Sequence, residues 1–407
     1  MAKKLPQDLE FDDESDDQDV AERLSPGSVA AVVSGTDWTT ETIVSQLKRG
    51  NIQLNPRFQR RDAWKRDRKS RFIESLIVGL PIPQIVLAES KQDRGKFIVL
   101  DGKQRLLAIL QFWGLGGESE NNAFTLSGLT LRDDLKRKSL VDLSTDPDHE
   151  PDYNALCNQA IRTVVIRNWK DTDFLHTVFL RLNTGSVTLS PQELRQALLP
   201  GPFSDYIDDA AGQSPGLQRL LSLGGPDPRM RDIEILARFL AFRFFAQDYP
   251  GRMKAFLDYT FEQFNKDWRP YKPKIEAAKS DFEDGVDELL EVFDENVARK
   301  PASVHFNRAI FDALIFFHSQ PQIRSALRRK HGRVKKAYEG LFSPQSDFLR
   351  AVESDTAGAP NTSTRLRIWG AALSKIANRS FSPPKIPIAS PEQSKTGKRA
   401  SRRGSSA

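Results

Sequence analysis

Phe97-Ile98-Val99-Leu100-Asp101-Gly102-Lys103-Gln104-Arg105-Leu106-Leu107 reads as a strand that breaks into a helix through five polar residues. The run Phe97 to Leu100 is short and apolar, as in a buried strand. Gly102 admits a tight turn with positive φ, and Leu106, Leu107, Ile109 and Leu110 then recur at helical spacing. Such a break leaves backbone amides pointing outward at a helix N-terminus, where unpaired N–H groups and the helix dipole attract anions. Lys103, Gln104 and Arg105 stand in that first turn, so a phosphate suits it. The plainer alternative is a strand, turn and helix whose polar residues only cap the helix, and the pentapeptide alone does not choose between the two.

The flanking chain supplies a frame for the turn. A strand over 84–88 and a turn at Asp93-Arg94-Gly95 make a hairpin with the Phe97 strand. Before it, residues 65–80 carry Phe72, Ile73, Leu76 and Ile77 on one helical face, with Gly79 and Pro81 as stops. Earlier still, a helix over 39–47 and a short strand over 52–54 lead into the loop Asn55-Pro56-Arg57-Phe58-Gln59-Arg60-Arg61-Asp62-Ala63-Trp64, which mixes guanidinium groups, an amide and two aromatics. Downstream, 114–152 reads as loop-rich with a hairpin at 124–130. A buried strand follows over 163–166, then a helix over 171–182 that stops at Asn183-Thr184-Gly185. Ser190-Pro191-Gln192-Glu193 combines an N-cap, a proline at the first helical position and a carboxylate at the third, which starts another helix.

Beyond about residue 203 the periodicity is helical throughout. Apolar stripes over 232–245, 253–268, 275–297, 304–317 and 364–378 describe a helical second domain, and Phe239, Phe244, Phe256, Phe261 and Phe293 read as its core. Residues 322–336 form the densest basic helical stretch, read first as a solvated face and second as a DNA contact. The expected organisation is α+β: an acidic disordered N-terminus over 1–27, an α/β domain over 28–202, an all-helical domain over 203–379, and a disordered basic tail over 380–407.

With 407 residues and 39% hydrophobic content the chain can bury two or more cores. The net charge of +6 combines a tail of about +5 after residue 384 with about −6 over the first 19 residues, which leaves the body mildly basic. One cysteine, Cys157, excludes an intramolecular disulfide framework, has no activating neighbour in sequence, and fits a reducing cytoplasm. No apolar run is long enough to span a bilayer, so no membrane association is expected. No P-loop, His-Glu-x-x-His or Cys-x-x-Cys sequence occurs, and the five histidines are scattered singly, each read as a surface or packing residue. No metal-ligating set is therefore assigned.

Three stretches together resemble the N-terminal domain family of GmrSD-type restriction endonucleases, whose fold is similar to that of ParB and sulfiredoxin proteins. Phe58-Gln59-Arg60 followed by Trp64 resembles the family's Gln-Arg-x-x-x-Trp element, and Val99 to Leu106 its Asp-Gly-Gln-Gln-Arg signature, with Lys103 in place of a glutamine. Phe179-Leu180-Arg181-Leu182-Asn183-Thr184-Gly185, followed by Ser190 and Glu193, resembles its Phe-x-Arg-Leu-Asn-Thr-Gly segment. The resemblance covers about 39–199 and implies a ParB/sulfiredoxin-like domain that holds a nucleoside triphosphate, with Mg²⁺, and can support its hydrolysis. On this reading Asp101, Gln104 and Arg105 are the catalytic set, while Gln59, Arg60, Gly102, Lys103 and Asn183 bind the nucleotide. Asp101 can hold Mg²⁺ indirectly, position Arg105 or act as a base. The family's implied partners are DNA and an HNH-type nuclease, whose own centre this chain lacks in sequence. The alternative is a non-catalytic nucleotide- or DNA-binding scaffold.

Overall fold

The computed structural model describes residues 31–54, 62, 64–91, 93–115, 123–169, 174, 175, 178, 190–301 and 303–388. These divide into two units, one running up to Pro200 and including Pro226–Arg231, the other comprising Gly201–Gly225 and the chain from Asp232 onward.

The first unit is a mixed α+β assembly. Its elements are β1 (Val32–Thr39), α1 (Thr40–Lys48), β2 (Ile52–Gln53), α2 (Arg66–Val78), β3 (Ile85–Glu89), β4 (Phe97–Asp101), α3 (Lys103–Phe112), α4 (Leu140–Thr145), α5 (Glu150–Asn158), β5 (Ala160–Arg167) and α6 (Pro191–Leu198). The sheet order is β1-β5-β3-β4-β2. The β3–β4 hairpin is antiparallel, as its turn sequence predicts; Gly95 sits there at φ +82° and its amide donates to Glu89 Oε1 at 2.9 Å. β5 runs parallel to β3, and β2 parallel to β4. Four of the five residues in each of β3 and β4 are buried, because both faces of the sheet are covered. Ile85, Leu87, Phe97 and Val99 pack with Ile43, Ile73, Leu76, Leu106 and Ile109 of the helices on one face, while Val86, Ala88 and Leu100 pack with Leu194 of α6 on the other. Each large aliphatic side chain buried this way stabilises the fold by about 1.5–3 kcal/mol.

Three local expectations need correction. β1 is an eight-residue strand that periodicity missed, because it lies at the sheet edge and its alternation is masked by exposure: Val32 and Val33 are 51% and 62% exposed. No hairpin forms at 124–130. Instead Glu74 of α2, 1% exposed, accepts hydrogen bonds from the backbone amides of Thr130, Leu131 and Arg132 and shapes that stretch as a loop. The stretch 114–152, read as loop-rich, holds α4 and the start of α5, which are short and bury one core leucine each, Leu143 and Leu156, too little for a readable stripe. The expected helix over 171–182 lies almost wholly outside the described residues.

The second unit consists of α7 (Pro202–Gly212), α8 (Pro215–Leu220), α9 (Arg231–Phe245), α10 (Met253–Lys266), α11 (Trp268–Phe293), α12 (Arg308–His318), α13 (Pro321–Leu327), α14 (His331–Glu339), α15 (Asp347–Glu353) and α16 (Ala359–Ala377). No β-strand occurs in it among the described residues. Phe239, Phe256, Phe261 and Phe293 are core residues and Phe244 is half-buried against Phe264 and Tyr271. Arg238 and Asp312 form a buried two-point ion pair at 3.0 and 2.6 Å. α11 begins seven residues earlier than its apolar stripe suggested: Pro270 falls in the first turn, where a proline's missing N–H is no loss, and the helix continues through Pro273. The basic stretch is two helices, because Arg329 takes a left-handed φ of +67° and breaks it between α13 and α14.

Candidate functional site

The Asp101 turn sits where β4 ends, between the two covered faces of the sheet. Val86, opposite Asp101, adjoins a register shift in the β3–β4 ladder, the kind of irregularity that re-aims a strand end. Gly102 is the N-cap of α3 at φ +95°, and a Cβ there would lie 3.1 Å from Ile85 Cγ1 and 3.3 Å from Arg105 Nε. Both the conformation and the space require glycine.

The next three residues each engage a different partner. Lys103 Nζ donates to Glu193 Oε1 of α6 at 2.7 Å, and both side chains are 4% exposed. Gln104 Oε1 accepts from the backbone amide of Trp64 at 3.3 Å. Arg105 Nη2 donates to Asp101 Oδ2 at 2.9 Å, while Asp101 Oδ1 accepts from the Gly102 amide at 2.7 Å. The first turn of α3 therefore fastens its own strand, the end of the arginine-rich loop and α6.

The supports behind these contacts are specific. Asp62 accepts from the Trp64 amide at 3.1 Å and from Gln111 Nε2 at 2.9 Å, and pairs with Lys69, so the loop end is tied to both α2 and α3. Trp64 packs edge-on against Phe72 and carries the Arg68 guanidinium over its ring at 4.7 Å. Glu193 closes the capping box of α6, taking the Ser190 amide at 2.7 Å, and Ser190 Oγ donates to the Arg229 carbonyl at 2.7 Å. One carboxylate thus serves both a helix cap and a buried ion pair.

Of the residues assigned from the sequence, Asp101, Gly102, Lys103, Gln104 and Arg105 lie together. Gln59, Arg60 and Asn183 fall outside the described residues. Sequence reasoning named Glu193 as a helix-start carboxylate and as following the third motif stretch; its pairing with Lys103, ninety residues away, had no local signal. Among the described residues one group has the composition of a metal-ligand set, Asp134, His149 and Asp152. Arg132 already bridges it, two-pronged to Asp152 at 2.8 Å and bonded to Asp134 at 2.6 and 2.9 Å. Its carboxylates are neutralised by a guanidinium, which makes it an ion-pair cluster rather than an open donor set. Burial pushes the Cys157 thiol up, in keeping with a structural role.

Residues 40–200 match the family described as GmrSD restriction endonuclease, N-terminal domain. That segment is a domain of this family. The GmrSD N-terminal domain thus begins at the first residue of α1 and ends just past α6, less than half of the chain, and it contains the whole Asp101 turn with its three anchor points. No curated protein and no solved structure matches the chain, so the likeness to ParB and sulfiredoxin proteins rests on sequence motifs alone. No helix among the described residues is long and apolar enough to cross a membrane.

Proposed function

We propose that the first turn of α3 holds the phosphates of a nucleoside triphosphate, with Mg²⁺, and that the chain is the nucleotide-binding, NTP-hydrolysing regulatory component of a modification-dependent restriction or anti-phage defence system. The observation that carries this reading is the convergence at one helix N-terminus: three successive residues, Lys103, Gln104 and Arg105, meet Glu193, the Trp64 amide and Asp101, so that Trp64 and Glu193, the described members of the other two motif stretches, meet the Asp101 turn. A glycine with positive φ followed by cationic and amide side chains at a helix start suits phosphate oxygens.

In this reading Arg105 binds phosphate oxygens through the donors that Asp101 leaves available, and Lys103 adds a point charge. Gln104 orients a phosphate oxygen or the attacking water. Asp101 has one oxygen on Arg105 and the other on the Gly102 amide, which favours positioning of Arg105 over service as a base. Gln59, Arg60 and Asn183 complete the pocket. Cleavage of DNA belongs to a separate HNH-type nuclease that this chain licenses.

Phosphate release from each nucleoside triphosphate, with and without DNA, tests the proposal on wild type, Arg105→Ala and Arg105→Lys. Release by wild type that falls to background in Arg105→Ala is expected; equal release from all three proteins sinks the hydrolase reading. A second reading, a non-catalytic nucleotide- or DNA-binding scaffold, is favoured by the pairing of Lys103 and Arg105 with carboxylates at 2.7 and 2.9 Å. Nucleotide binding without turnover is its signature.

A further inference from the structure

The helical unit carries a cationic surface on which several exposed charges have no acidic partner among the described residues. Residues 321–338 contain seven arginines and lysines and no aspartate or glutamate, and residues 356–388 contain five and again no acid. The fold brings the two stretches together: α14 packs against α16, and Lys330 Nζ donates to the Ile376 carbonyl at 3.3 Å. Carboxylates of α11 and the turn after it meet three members of the patch, Asp284 pairing with Arg324 at 2.7 Å, Asp294 lying 3.8 Å from Lys335 and Glu288 4.0 Å from His331. Arg328, Arg329, Arg333 and Lys336 are exposed and have no acidic partner among the described residues, and Arg367, Lys375 and Arg379 of and beyond α16 share that condition.

Placement sharpens the point. Lys330, His331 and Arg333 stand at the N-terminus of α14, whose first turn holds no acid and whose cap has no side-chain hydrogen bond. Cations at the positive end of a helix dipole repel it; the Glu288 carboxylate near His331 offsets part of this, while Arg333 has no acidic partner among the described residues. The outward charges are mostly guanidinium, which suits phosphate oxygens better than ammonium does. Of the aromatics of the patch, Tyr338 and Trp369 are buried at 4% and 0% exposure and Phe381 is half-buried, so no fully exposed ring is offered for stacking unpaired bases. No large apolar side chain of 321–338 is exposed to anchor a lipid surface.

We infer that the α13–α14 turn and the adjoining face of α16 form a binding surface for the phosphodiester backbone of a nucleic-acid duplex, read without regard to sequence. The surface lies outside the family-matched segment and independent of the nucleotide site, and its test contains no nucleotide, so its failure leaves that reading untouched.

The full chain is titrated with labelled duplex DNA and duplex RNA of scrambled sequence over a range of salt concentrations. Wild type is compared with the quadruple variant Arg328→Gln/Arg329→Gln/Arg333→Gln/Lys336→Gln, and with a control that neutralises four exposed bases elsewhere on the unit, Arg252→Gln/Lys266→Gln/Arg269→Gln/Lys272→Gln. Four lost phosphate contacts at ~0.9 each lower the slope of log K against log salt by about 3–4 and weaken binding at least tenfold at moderate salt. The control keeps the wild-type slope. The patch variant keeps a wild-type melting temperature to within a few degrees, because all four side chains are exposed and without acidic partners among the described residues, and this separates lost binding from lost fold. Loss on both duplexes marks a surface tolerant of helix form and loss on DNA alone one fitted to B-form; either supports the inference. An unchanged slope in the patch variant, or an equal drop in the control, overturns it.

Discussion

Lys103 is the residue at which this sequence departs from the family's glutamine, and its neighbour gives the departure a physical meaning. Glu193 is buried, and an ammonium at 2.7 Å compensates its charge where an amide could only hydrogen-bond it. Lys103→Met should therefore destabilise the protein by about 3–5 kcal/mol, the cost of leaving a buried carboxylate without its directly bonded counter-charge and with only the more distant, partly exposed Arg229 guanidinium. Adding Glu193→Gln should recover most of that, since glutamine can still close the α6 capping box. Denaturant unfolding of the single and double variants measures the recovery, and nucleotide titration of the double variant adds a separate result. Stability restored with affinity still lost would mean that Lys103 reaches phosphate; both restored would reduce it to a structural cation. At Gly102, any side chain must adopt φ near +95° and crowd Ile85. Gly102→Ala should cost about 1–2 kcal/mol from backbone conformation alone and displace Arg105, so nucleotide affinity should fall further than stability does. The positive φ of Gly102 was legible because only glycine takes it freely. The Lys103–Glu193 pair was not, because a contact between residues so far apart in sequence leaves no periodic trace.

At the scale of elements, the sequence announced whatever has a strong period or a strong cap: the β3–β4 hairpin, the buried face of α2, and α6 with its Ser190 cap. It hid elements held by tertiary contacts. The loop after α3 is set by Glu74, a buried carboxylate with three backbone amides on it. Burial by itself pushes the Glu74 carboxyl up, but the Leu131, Arg132 and Thr130 amides together outweigh it, and its pKa lies below the ordinary glutamate value. The folded-state pKa is thus depressed. Its contribution is fully present above the unfolded-state pKa and is lost as pH falls through the folded one. Glu74→Gln should lower stability at neutral pH by about 1–3 kcal/mol. Unfolding curves at stepped pH should show the gap between variant and wild type closing below the ordinary glutamate range; a gap that widens in acid would contradict the assignment. The basic stretch was read as one helix because nothing in Arg328-Arg329-Lys330 resembles a turn sequence. Its break rests on a left-handed arginine, a conformation that composition does not betray.

For the whole molecule, the alternation of strand and helix signals before about residue 200 and helical signals after it reflects two units with different packing: a sheet covered on both faces, and an aromatic-rich helical core. The return of Pro226–Arg231 to the first unit had no sequence mark. Ser190 Oγ donates to the Arg229 carbonyl, and the Arg229 guanidinium lies 3.9 Å from Glu193.

β1 lies wholly before residue 40, where the family match begins, yet along its length it covers the edge of β5. Trimming the chain to the family boundary would strip that edge, exposing the backbone donors and acceptors of Ala160–Arg167 in a strand that also carries Ile161, Val165 and Ile166. An uncapped apolar strand edge is a template for pairing with other chains. Removing residues 1–30 should leave the protein's size-exclusion profile unchanged, whereas removing 1–39 should turn it to aggregate. The useful boundary for expressing this domain is set by a missing hydrogen-bonding neighbour rather than by where the family likeness stops.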